Sequence, residues 1–263
     1  MKKLKREGGL RIKGYIKNST IKKPIITIVT VVYNGQEYLE KTILSVINQN
    51  YDNLEYIIID GGSTDNTIDI IQKYENKIDY WISENDKGIY SAMNKGSKLA
   101  KGKWINFMNC GDTFCNDEVI SNIKFSDYSK YVMIYGKANI FNENGKFIKL
   151  LKPLNMTKKN LVIFTTRVVC HQAVFYNKKI SFQFPNEYKL KGELFSYFEY
   201  LKFGPSFKLN LEICNYFLGG IGSIQRKNDQ IETWQVLRYH VNLMRYLYLP
   251  MYLLKKMRLM LKI

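Results

Sequence analysis

Three aspartates occupy similar places in the sequence, each shortly after an apolar run. Asp60 ends the run LEYIIID, Asp86 follows a run that ends at Ile82, and Asp112 follows WINFM. Carboxylates gathered in one place can hold a divalent cation, accept hydrogen bonds from a ligand or take a proton from a hydroxyl group. That chemistry requires the three runs to be strands that end at one edge of a sheet.

The pattern of apolar residues places these runs in a regular alternation. The predicted order is a strand over 25–33, a helical pattern from Tyr38 to Ile47, a strand over 54–60, a helix from Ser63 or Thr64 to about Tyr74, a strand over 78–82, a helix over 90–100 and a strand over 104–108. Alternation of this kind predicts an α/β fold with a doubly wound, mostly parallel sheet and helices on both faces. Ligands bind such sheets beyond the carboxyl ends of the strands, where the three aspartates would lie.

The pattern is weaker after Asn116. Residues 131–141 and 145–151 suggest a hairpin, 171–177 a further strand, and 192–204 a helix that ends at Gly204. The four cysteines are irregularly spaced, which favours free thiols. A zinc site formed by Cys110, Cys115, Cys170 and His171 would lack the paired CxxC spacing of such sites.

Basic residues are concentrated at the two ends of the chain, whose formal net charge is +17. Residues 1–23 contain nine Lys or Arg and one acid, and no acid follows Glu232. The start lacks the apolar run of a secretory signal, and the longest uncharged run near the end, YLYLPMYLL, is too short to span a membrane. We therefore expect a cytoplasmic protein with a basic amphipathic helix over 233–263 that lies on the inner face of a membrane; the alternative is a helix packed on the domain.

Other readings of the charge and the fold class are less consistent with the sequence. A nucleic-acid-binding protein should interleave lysines with exposed aromatic residues, and acids at the strand ends would repel phosphate unless a cation intervened. No GxGxxG motif follows the first strand, which argues against a dinucleotide-dependent oxidoreductase. We expect no nucleic-acid partner.

Four motifs occur in a characteristic order: TIVTVVYNGQEYLEKTILSVINQNY, IIIDGGSTDNT, ENDKGIYSAMNKG and GKWINFMNCGD. Together they resemble the family 2 glycosyltransferases with the GT-A fold, over roughly Ile25 to Asp112, and HQAVFY resembles a later motif of a subgroup. The resemblance implies an inverting enzyme of bacterial surface-polysaccharide synthesis. It implies a nucleotide-sugar donor, UDP-linked by expectation, a glycan or lipid-linked saccharide acceptor, and Mn²⁺ or Mg²⁺ as cofactor.

The resemblance also assigns roles to residues of the donor site. Asp60 would contact the nucleobase or ribose, with Tyr33 and Asn34 bordering the same pocket. Asp86 would bind the donor sugar and Lys87 a phosphate. Asn94 would serve either the donor site or the packing of its helix.

The family usually ends its fourth strand with a DxD sequence, and this chain has Asn109-Cys110-Gly111-Asp112 there. Asp112 would then be the direct metal ligand and Asn109 a neutral oxygen donor. His171 would touch the diphosphate or the acceptor, or else be a core histidine. Glu193 is the candidate general base, ahead of Glu199 and Glu187, although an acid at a helix start also stabilises the helix dipole.

These assignments divide the chain into a basic N-terminal extension (1–23), a catalytic domain (24–232) and a basic membrane-associating tail (233–263). Within the domain, 24–115 would bind the nucleotide sugar and 116–232 the acceptor. Because only one carboxylate remains of the DxD sequence, a family member that binds a nucleotide sugar without turnover is the main alternative.

Overall fold

The computed structural model describes residues 5–165, 168–181, 183–219 and 226–241, which form ten strands and six helices. The strands are β1 (Arg6–Gly8), β2 (Ile26–Val32), β3 (Leu54–Asp60), β4 (Tyr80–Ser83), β5 (Trp104–Phe107), β6 (Thr113–Phe114), β7 (Met133–Phe141), β8 (Phe147–Leu151), β9 (Val174–Asn177) and β10 (Ser206–Phe217). The helices are α1 (Leu39–Ile47), α2 (Thr67–Lys73), α3 (Ile89–Leu99), α4 (Lys158–Phe164), α5 (Gly192–Tyr200) and α6 (Arg226–His240).

The first half of the sheet has the predicted architecture. Strands β4, β3, β2 and β5 are adjacent and parallel, and every residue of β2 and β3 is buried. Successive side chains of β2 point to opposite faces, so Val29 packs in the same core as Met93 of α3, and Ile28 in the same core as Ile43 of α1. The doubly wound arrangement with helices on both faces is confirmed.

The second half of the sheet is mixed, and the sequence predicted it only in part. The predicted hairpin is β7 and β8, and the predicted strand after His171 is β9, which runs antiparallel to both β5 and β7. Strand β10, which pairs in parallel with β7, was not predicted. Polar residues interrupt its apolar pattern, and its register shifts between Lys208 and Cys214, so no clean period of two was visible.

The described part of the N-terminal extension packs on the catalytic domain. Strand β1 pairs antiparallel with β4, the Arg11 guanidinium forms an ion pair with buried Glu55, and Lys17 Nζ lies 2.8 Å from Asp79 Oδ2. These contacts add one antiparallel strand to the edge of the parallel sheet.

Helix α6 runs through the expected boundary between residues 232 and 233. The Glu232 carboxylate accepts hydrogen bonds from the backbone N–H groups of residues 189–191, at 3.0, 2.8 and 3.0 Å. Val236 and Leu237 are fully buried in the core. The described part of the predicted tail therefore packs on the domain, and residues 242–263 lie outside the described residues. Of the helices that the structure describes, none has the length and apolarity needed to cross a membrane.

Candidate active site

The loops that follow β2 and β3 are joined by hydrogen bonds at the carboxyl edge of the sheet. The Asn34 N–H donates to Ser63 Oγ at 2.7 Å, and Asn34 Oδ1 accepts from the Thr64 N–H at 2.8 Å. The Gly35 N–H donates to Thr67 Oγ1 at 2.9 Å. Asn34 has a φ of 49°, a conformation that asparagine tolerates better than most residues. The two loops therefore form one platform on which a ligand can rest.

Asp60 is the centre of this platform, and its side chain is fully buried. Its Oδ2 accepts from the Gly62 N–H and the Ser63 N–H, both at 3.0 Å, and from Ser83 Oγ at 2.6 Å, while its Oδ1 accepts from Ser63 Oγ. Asp60 thus shapes the loop after β3 and ties it to β4. Three of these four bonds go to Oδ2, so Oδ1, with one bond, keeps an acceptor site.

Asp86 lies against the start of the same loop. A Cβ atom on Gly61 would lie 2.9 Å from Asp86 Oδ2, so a larger residue at this position would displace the Asp86 carboxylate. Asp86 Oδ1 accepts from the Gly88 N–H at 2.8 Å, and burial raises the pKa of this carboxyl group above its usual value. Lys87 is exposed beside it. Tyr33, whose surface is 64% exposed, also lies at this edge, after β2.

Asp112 is 5% exposed, and side-chain and backbone groups from the second half of the chain hold it. Its Oδ2 accepts from Gln172 Nε2 at 2.7 Å, and its Oδ1 accepts from the Phe217 N–H at 3.0 Å. Burial raises the pKa of this carboxyl group to about 7. In the sequence, Gln172 was noted only as part of the HQAVFY motif, and strand β10, which carries Phe217, was not predicted. Neither partner of Asp112 was therefore expected.

A short relay of hydrogen bonds continues from Gln172 into the sheet. The Cys170 thiol donates to Gln172 Oε1 at 3.2 Å, and the Cys170 and Cys214 sulfur atoms are 4.0 Å apart. All four cysteines are free thiols. The relay fixes which end of the Gln172 amide faces Asp112.

The residues around Asp112 suit a cation that is shared with a phosphate ligand. Within the described residues, no three His, Cys, Asp or Glu side chains converge as a metal-ligand group. Asn109 is in the same turn as Asp112, and its Oδ1 is buried with no hydrogen-bond partner among the described residues, so it can serve as an oxygen ligand. Mg²⁺ typically binds one or two carboxylates together with substrate phosphates. Asp112 and Asn109 fit such a shared site better than a site formed by protein groups alone.

Lys41 is a site residue that the sequence did not single out. Its ammonium group lies 3.7 Å from the centroid of the Phe217 ring, and its charge acts on Asp112. Burial lowers the pKa of Lys41 below its usual value. A half-buried cation beside the Asp112 turn favours an anionic ligand there.

Glu193 lies in the first turn of α5 and receives a hydrogen bond from the Tyr90 hydroxyl. Tyr90 belongs to the first turn of α3, directly after the Asp86 loop, and a Cβ on Gly192 would lie 2.7 Å from its ring. The structure thus brings Glu193 to the same edge as Asp86. Tyr216 lies near the end of β10. Burial, together with the nearby charges of Asp112 and Glu193, raises the pKa of its phenol.

His171 and Asn94 point into the core. The His171 ring stacks on Phe107 at 5.7 Å between centroids, its Nδ1 is 3.0 Å from the Tyr176 hydroxyl, and its Nε2 is enclosed without a partner in the described residues. Burial lowers the pKa of His171 to about 3, so the ring is neutral. These contacts favour the core role that was considered for His171, and its contact with the diphosphate or the acceptor stays a prediction.

Asn94 has a comparable place on α3. Its Oδ1 accepts from the Phe184 N–H at 2.7 Å, and its Nδ2 donates to the Phe184 carbonyl, also at 2.7 Å. These bonds hold the segment before α5 against the core. These bonds give Asn94 a packing role, and its contact with the donor stays a prediction.

Comparison with known proteins identifies relatives of this chain. The family model "Glycosyl transferase family 2" matches residues 27–191. A glycosyltransferase of Haemophilus influenzae is 34% identical over 131 residues, which cover 49% of this chain and 52% of that protein. TuaG of Bacillus subtilis, whose name assigns it to teichuronic acid biosynthesis, is 36% identical over 107 residues, or 39% of this chain and 42% of TuaG. The chain thus spans about half the length of these relatives.

Two solved structures share the fold at low sequence identity. Residues 1–349 of TarS from S. aureus, in complex with UDP-GlcNAc, match 82% of this chain and 65% of that one with a TM-score of 0.65 and 18% identity. The mannosyltransferase PcManGT of Pyrobaculum calidifontis, in complex with GDP-Man and Mn²⁺, matches 89% of this chain and 69% of that one, with a TM-score of 0.64 and 12% identity. The likeness confirms the GT-A type of fold.

Proposed function

Because the chain belongs to glycosyl transferase family 2, we propose that it transfers a sugar from a nucleotide-sugar donor to a hydroxyl group of a glycan or lipid-linked saccharide. The reaction would contribute to the synthesis of a surface polysaccharide, as the name of the relative TuaG suggests. The observation that carries the proposal is the convergence of Asp60, Asp86, Asp112 and Glu193 at the carboxyl edge of the sheet. A UDP-sugar is the expected donor, in line with the UDP-GlcNAc bound to TarS.

The platform after β2 and β3 would receive the nucleoside. The exposed Tyr33 ring offers a face for the base, and the exposed Lys87 ammonium and the half-buried Lys41 ammonium offer positive charge for the diphosphate. Asp60 would act by holding the platform in shape, and Asp86 lies where the loops after β3 and β4 meet. The chain would therefore bind the donor mainly through loops that are ordered before it arrives.

Asp112 and Asn109 are the residues that would hold a divalent cation, Mn²⁺ or Mg²⁺, together with oxygens of the donor diphosphate. The cation would neutralise the charge that develops on the leaving group. Asp112 would release the hydrogen bond from Gln172 or from the Phe217 backbone in order to bind it. Mn²⁺ in the structure of PcManGT with GDP-Man supports this assignment.

Glu193 would take the proton from the acceptor hydroxyl while the acceptor oxygen displaces the diphosphate in one in-line step, with inversion at the sugar carbon. The Tyr90 hydroxyl orients the Glu193 carboxylate. We place the enzyme at the inner face of a membrane, where its acceptor would be anchored; the basic ends of the chain support this placement.

The test is a panel of UDP-, GDP- and dTDP-sugars, with and without Mn²⁺, read by thermal stabilisation and by donor hydrolysis. We expect one nucleotide class to stabilise the protein in a metal-dependent way, and Asp112→Asn to remove the metal dependence. Asp79→Asn changes a buried acid at the other edge of the sheet, and should retain the full response.

Two outcomes would contradict the proposal. No response to any nucleotide, from folded protein, would exclude a nucleotide-sugar transferase. Metal-dependent binding without hydrolysis or transfer to any acceptor would instead favour a member of the family that binds the donor without turnover.

A further inference from the structure

The edge of the sheet opposite to the donor loops is here called the amino edge. Strands β2, β5, β7 and β10 begin there, and β9, which runs the other way, ends there. Backbone hydrogen bonds join these strand ends in a row: Lys103 N to Ile25 O (2.8 Å), Lys178 N to Lys103 O (2.9 Å), Asn177 N to Val132 O (2.9 Å) and Val132 N to Pro205 O (3.0 Å). The row fixes the positions of the side chains that flank it.

Lysines flank this row along its length. Seven of them are exposed and have no ion-pair partner within the described residues: Lys22, Lys101, Lys103, Lys124, Lys130, Lys179 and Lys208. Of the acids at this edge, Asp52 pairs with Lys23 and Glu55 with Arg11, while Asp127 is exposed between Lys124 and Lys130 in the chain. Within the described residues, exposed lysines therefore outnumber exposed acids at the amino edge.

Two grooves lie at the ends of the row. One, of about 870 Å³, is lined by Lys158, Lys202 and Lys208 together with Phe203, which is 64% exposed. The other, of about 350 Å³, is lined by Lys22, Lys23 and Lys124, and the neighbouring Ile21 is 82% exposed. Each groove thus combines lysines with one exposed apolar side chain, the pairing that suits phosphate headgroups and the acyl boundary beneath them.

Helix α6 also ends at this edge. His240, the last residue of α6, has its Nδ1 3.4 Å from Glu199 Oε1, and the charges of Lys202 and Lys158 act on it. The sequence that follows contains Arg245, Lys255, Lys256, Arg258 and Lys262 among Leu, Met and Tyr residues, with no acid. That segment is basic and apolar in composition, like the surface at the end of α6.

We propose that the amino edge of the sheet is the surface that docks on an anionic phospholipid bilayer. The proposal rests on the proposed function and deepens it, because it assigns the membrane contact to a defined face of the catalytic domain. Phe203 and Ile21 lie one near each groove, which suits insertion among headgroups. The exposed Ile12, Tyr15 and Ile16 precede Lys17, which bonds the Leu54 carbonyl at the start of β3. Single-stranded nucleic acid would need a series of exposed rings for base stacking, and these side chains are mostly aliphatic.

Docking through this edge has a consequence for the acceptor. The donor loops lie at the other end of strands such as β2, which has seven residues at roughly 3.3 Å each. An acceptor anchored in the same bilayer would have to present its reacting hydroxyl roughly 20 Å or more from the headgroups. This distance favours an extended saccharide over a single sugar attached directly to the lipid.

Helix dipoles offer a simpler reason for lysines at this edge. Helices α3 and α5 end there, and cations near the carboxyl end of a helix are stabilising. That explanation predicts that replacing the lysines lowers the melting temperature without changing lipid binding. The two explanations therefore differ in a measurable way.

The test is sedimentation of the full chain with vesicles of phosphatidylcholine, with and without phosphatidylglycerol. Each lysine near an anionic surface contributes about fivefold to binding, so Lys103→Glu with Lys208→Glu should weaken binding by at least about 25-fold. The matched control is Lys146→Glu with Lys149→Glu, which reverses two exposed lysines on the β7–β8 hairpin. In the same assay Phe203→Ser should reduce binding, and Phe147→Ser, on that hairpin, should not.

Equal vesicle binding by the edge variant, its control and the wild type would overturn the proposal, and a lower melting temperature alone would favour the dipole explanation. Loss of binding to an RNA oligonucleotide with unchanged vesicle binding would also overturn it, in favour of nucleic acid. Stabilisation by the donor and Mn²⁺ without vesicles should be the same in all four variants. Its absence from the wild type would contradict the proposed transferase, whatever the vesicles show.

Discussion

The two edges of the sheet hold their charged side chains in different ways. At the carboxyl edge, Asp60 and Asp112 are buried and each accepts at least two hydrogen bonds. At the amino edge, exposed lysines such as Lys103 and Lys208 have no ion-pair partner within the described residues. The same strands connect both, so the difference arises from the loops and helix ends that meet at each edge.

The two edges differ in whether their charged side chains are fixed by hydrogen bonds or free to move in solvent. A buried carboxylate with donors around it keeps its position and can be aimed at a ligand, at a cost in solvation. An exposed lysine can move, and it contributes mainly through the summed field of its neighbours. We therefore expect single substitutions to matter greatly at the carboxyl edge, and only grouped substitutions to matter at the amino edge.

The largest effect is expected for Asp112→Asn. The rate of sugar transfer should fall by roughly a thousandfold, because the cation that stabilises the leaving group would lose its carboxylate ligand. The pH dependence of stability should also change. The pKa of Asp112 is raised from 3.8 to about 7, so the folded protein holds a proton that the unfolded chain loses, and wild-type stability decreases as the pH rises between these values.

Asparagine carries no charge and avoids this cost, but its amide N–H would face one of the two donors that bond Asp112, Gln172 Nε2 or the Phe217 N–H. The sign of the stability change at one pH is therefore not the test. Between pH 4 and pH 8 the stability of the variant relative to the wild type should increase by about 4 kcal/mol. Denaturant titrations at both pH values provide the measurement, and a difference that does not change with pH would show that the folded protein does not hold the Asp112 proton.

Glu193→Gln is expected to have the next largest effect. Transfer should fall about 10²- to 10³-fold because the amide cannot accept the acceptor proton, while donor affinity should stay unchanged. Glu199→Gln is the matched control, since it changes an acid near the other end of α5, where Glu199 pairs with Lys202. Equal losses in the two variants would indicate a structural role for both acids and would remove Glu193 as the base.

Strand β3 offers a direct comparison, because it has a buried acid at each edge. Asp60 accepts hydrogen bonds from the loop after β3, which forms part of the platform. Glu55 accepts hydrogen bonds from Thr27 Oγ1 at 2.6 Å and from the Lys101 N–H at 2.7 Å. Asp60→Asn and Glu55→Gln should each lower stability by about 1–3 kcal/mol. Only Asp60→Asn should weaken donor binding, by roughly tenfold or more, in a calorimetric titration. If Glu55→Gln weakens donor binding equally, the two edges are not independent.

The smallest effect is expected in the pH dependence of stability that arises from His171 in the core. The pKa of His171 is lowered from 6.5 to about 3, so below pH 6.5 the unfolded chain binds a proton that the folded protein does not. Wild-type stability should therefore decrease by about 1.4 kcal/mol for each pH unit below 6.5 from this residue. His171→Gln should show a shallower decrease in thermal unfolding between pH 6.5 and 5. An identical slope would show that His171 is protonated in the folded protein.

The first half of the fold was predictable because its signals are local. Strands β2 and β3 are buried on both faces, which requires continuous β-branched runs, and the helices between them show one apolar side each. The Asp60, Asp86 and Asp112 positions followed from the ends of those strands. Strand β10 could not be predicted in this way, because its partial exposure and its register shifts disrupt the alternation of apolar and polar residues that marks a strand.

The sequence by itself determined the parallel half of the sheet, the edge at which the three aspartates lie and the family, because each depends on patterns within a short stretch of chain. Only the tertiary structure decided that Gln172 and Phe217 hold Asp112, that His171 and Asn94 face the core, and that lysines far apart in the sequence form one basic edge. Such contacts join residues separated by many tens of positions, and their geometry is set by how the strands pair, which no local pattern specifies.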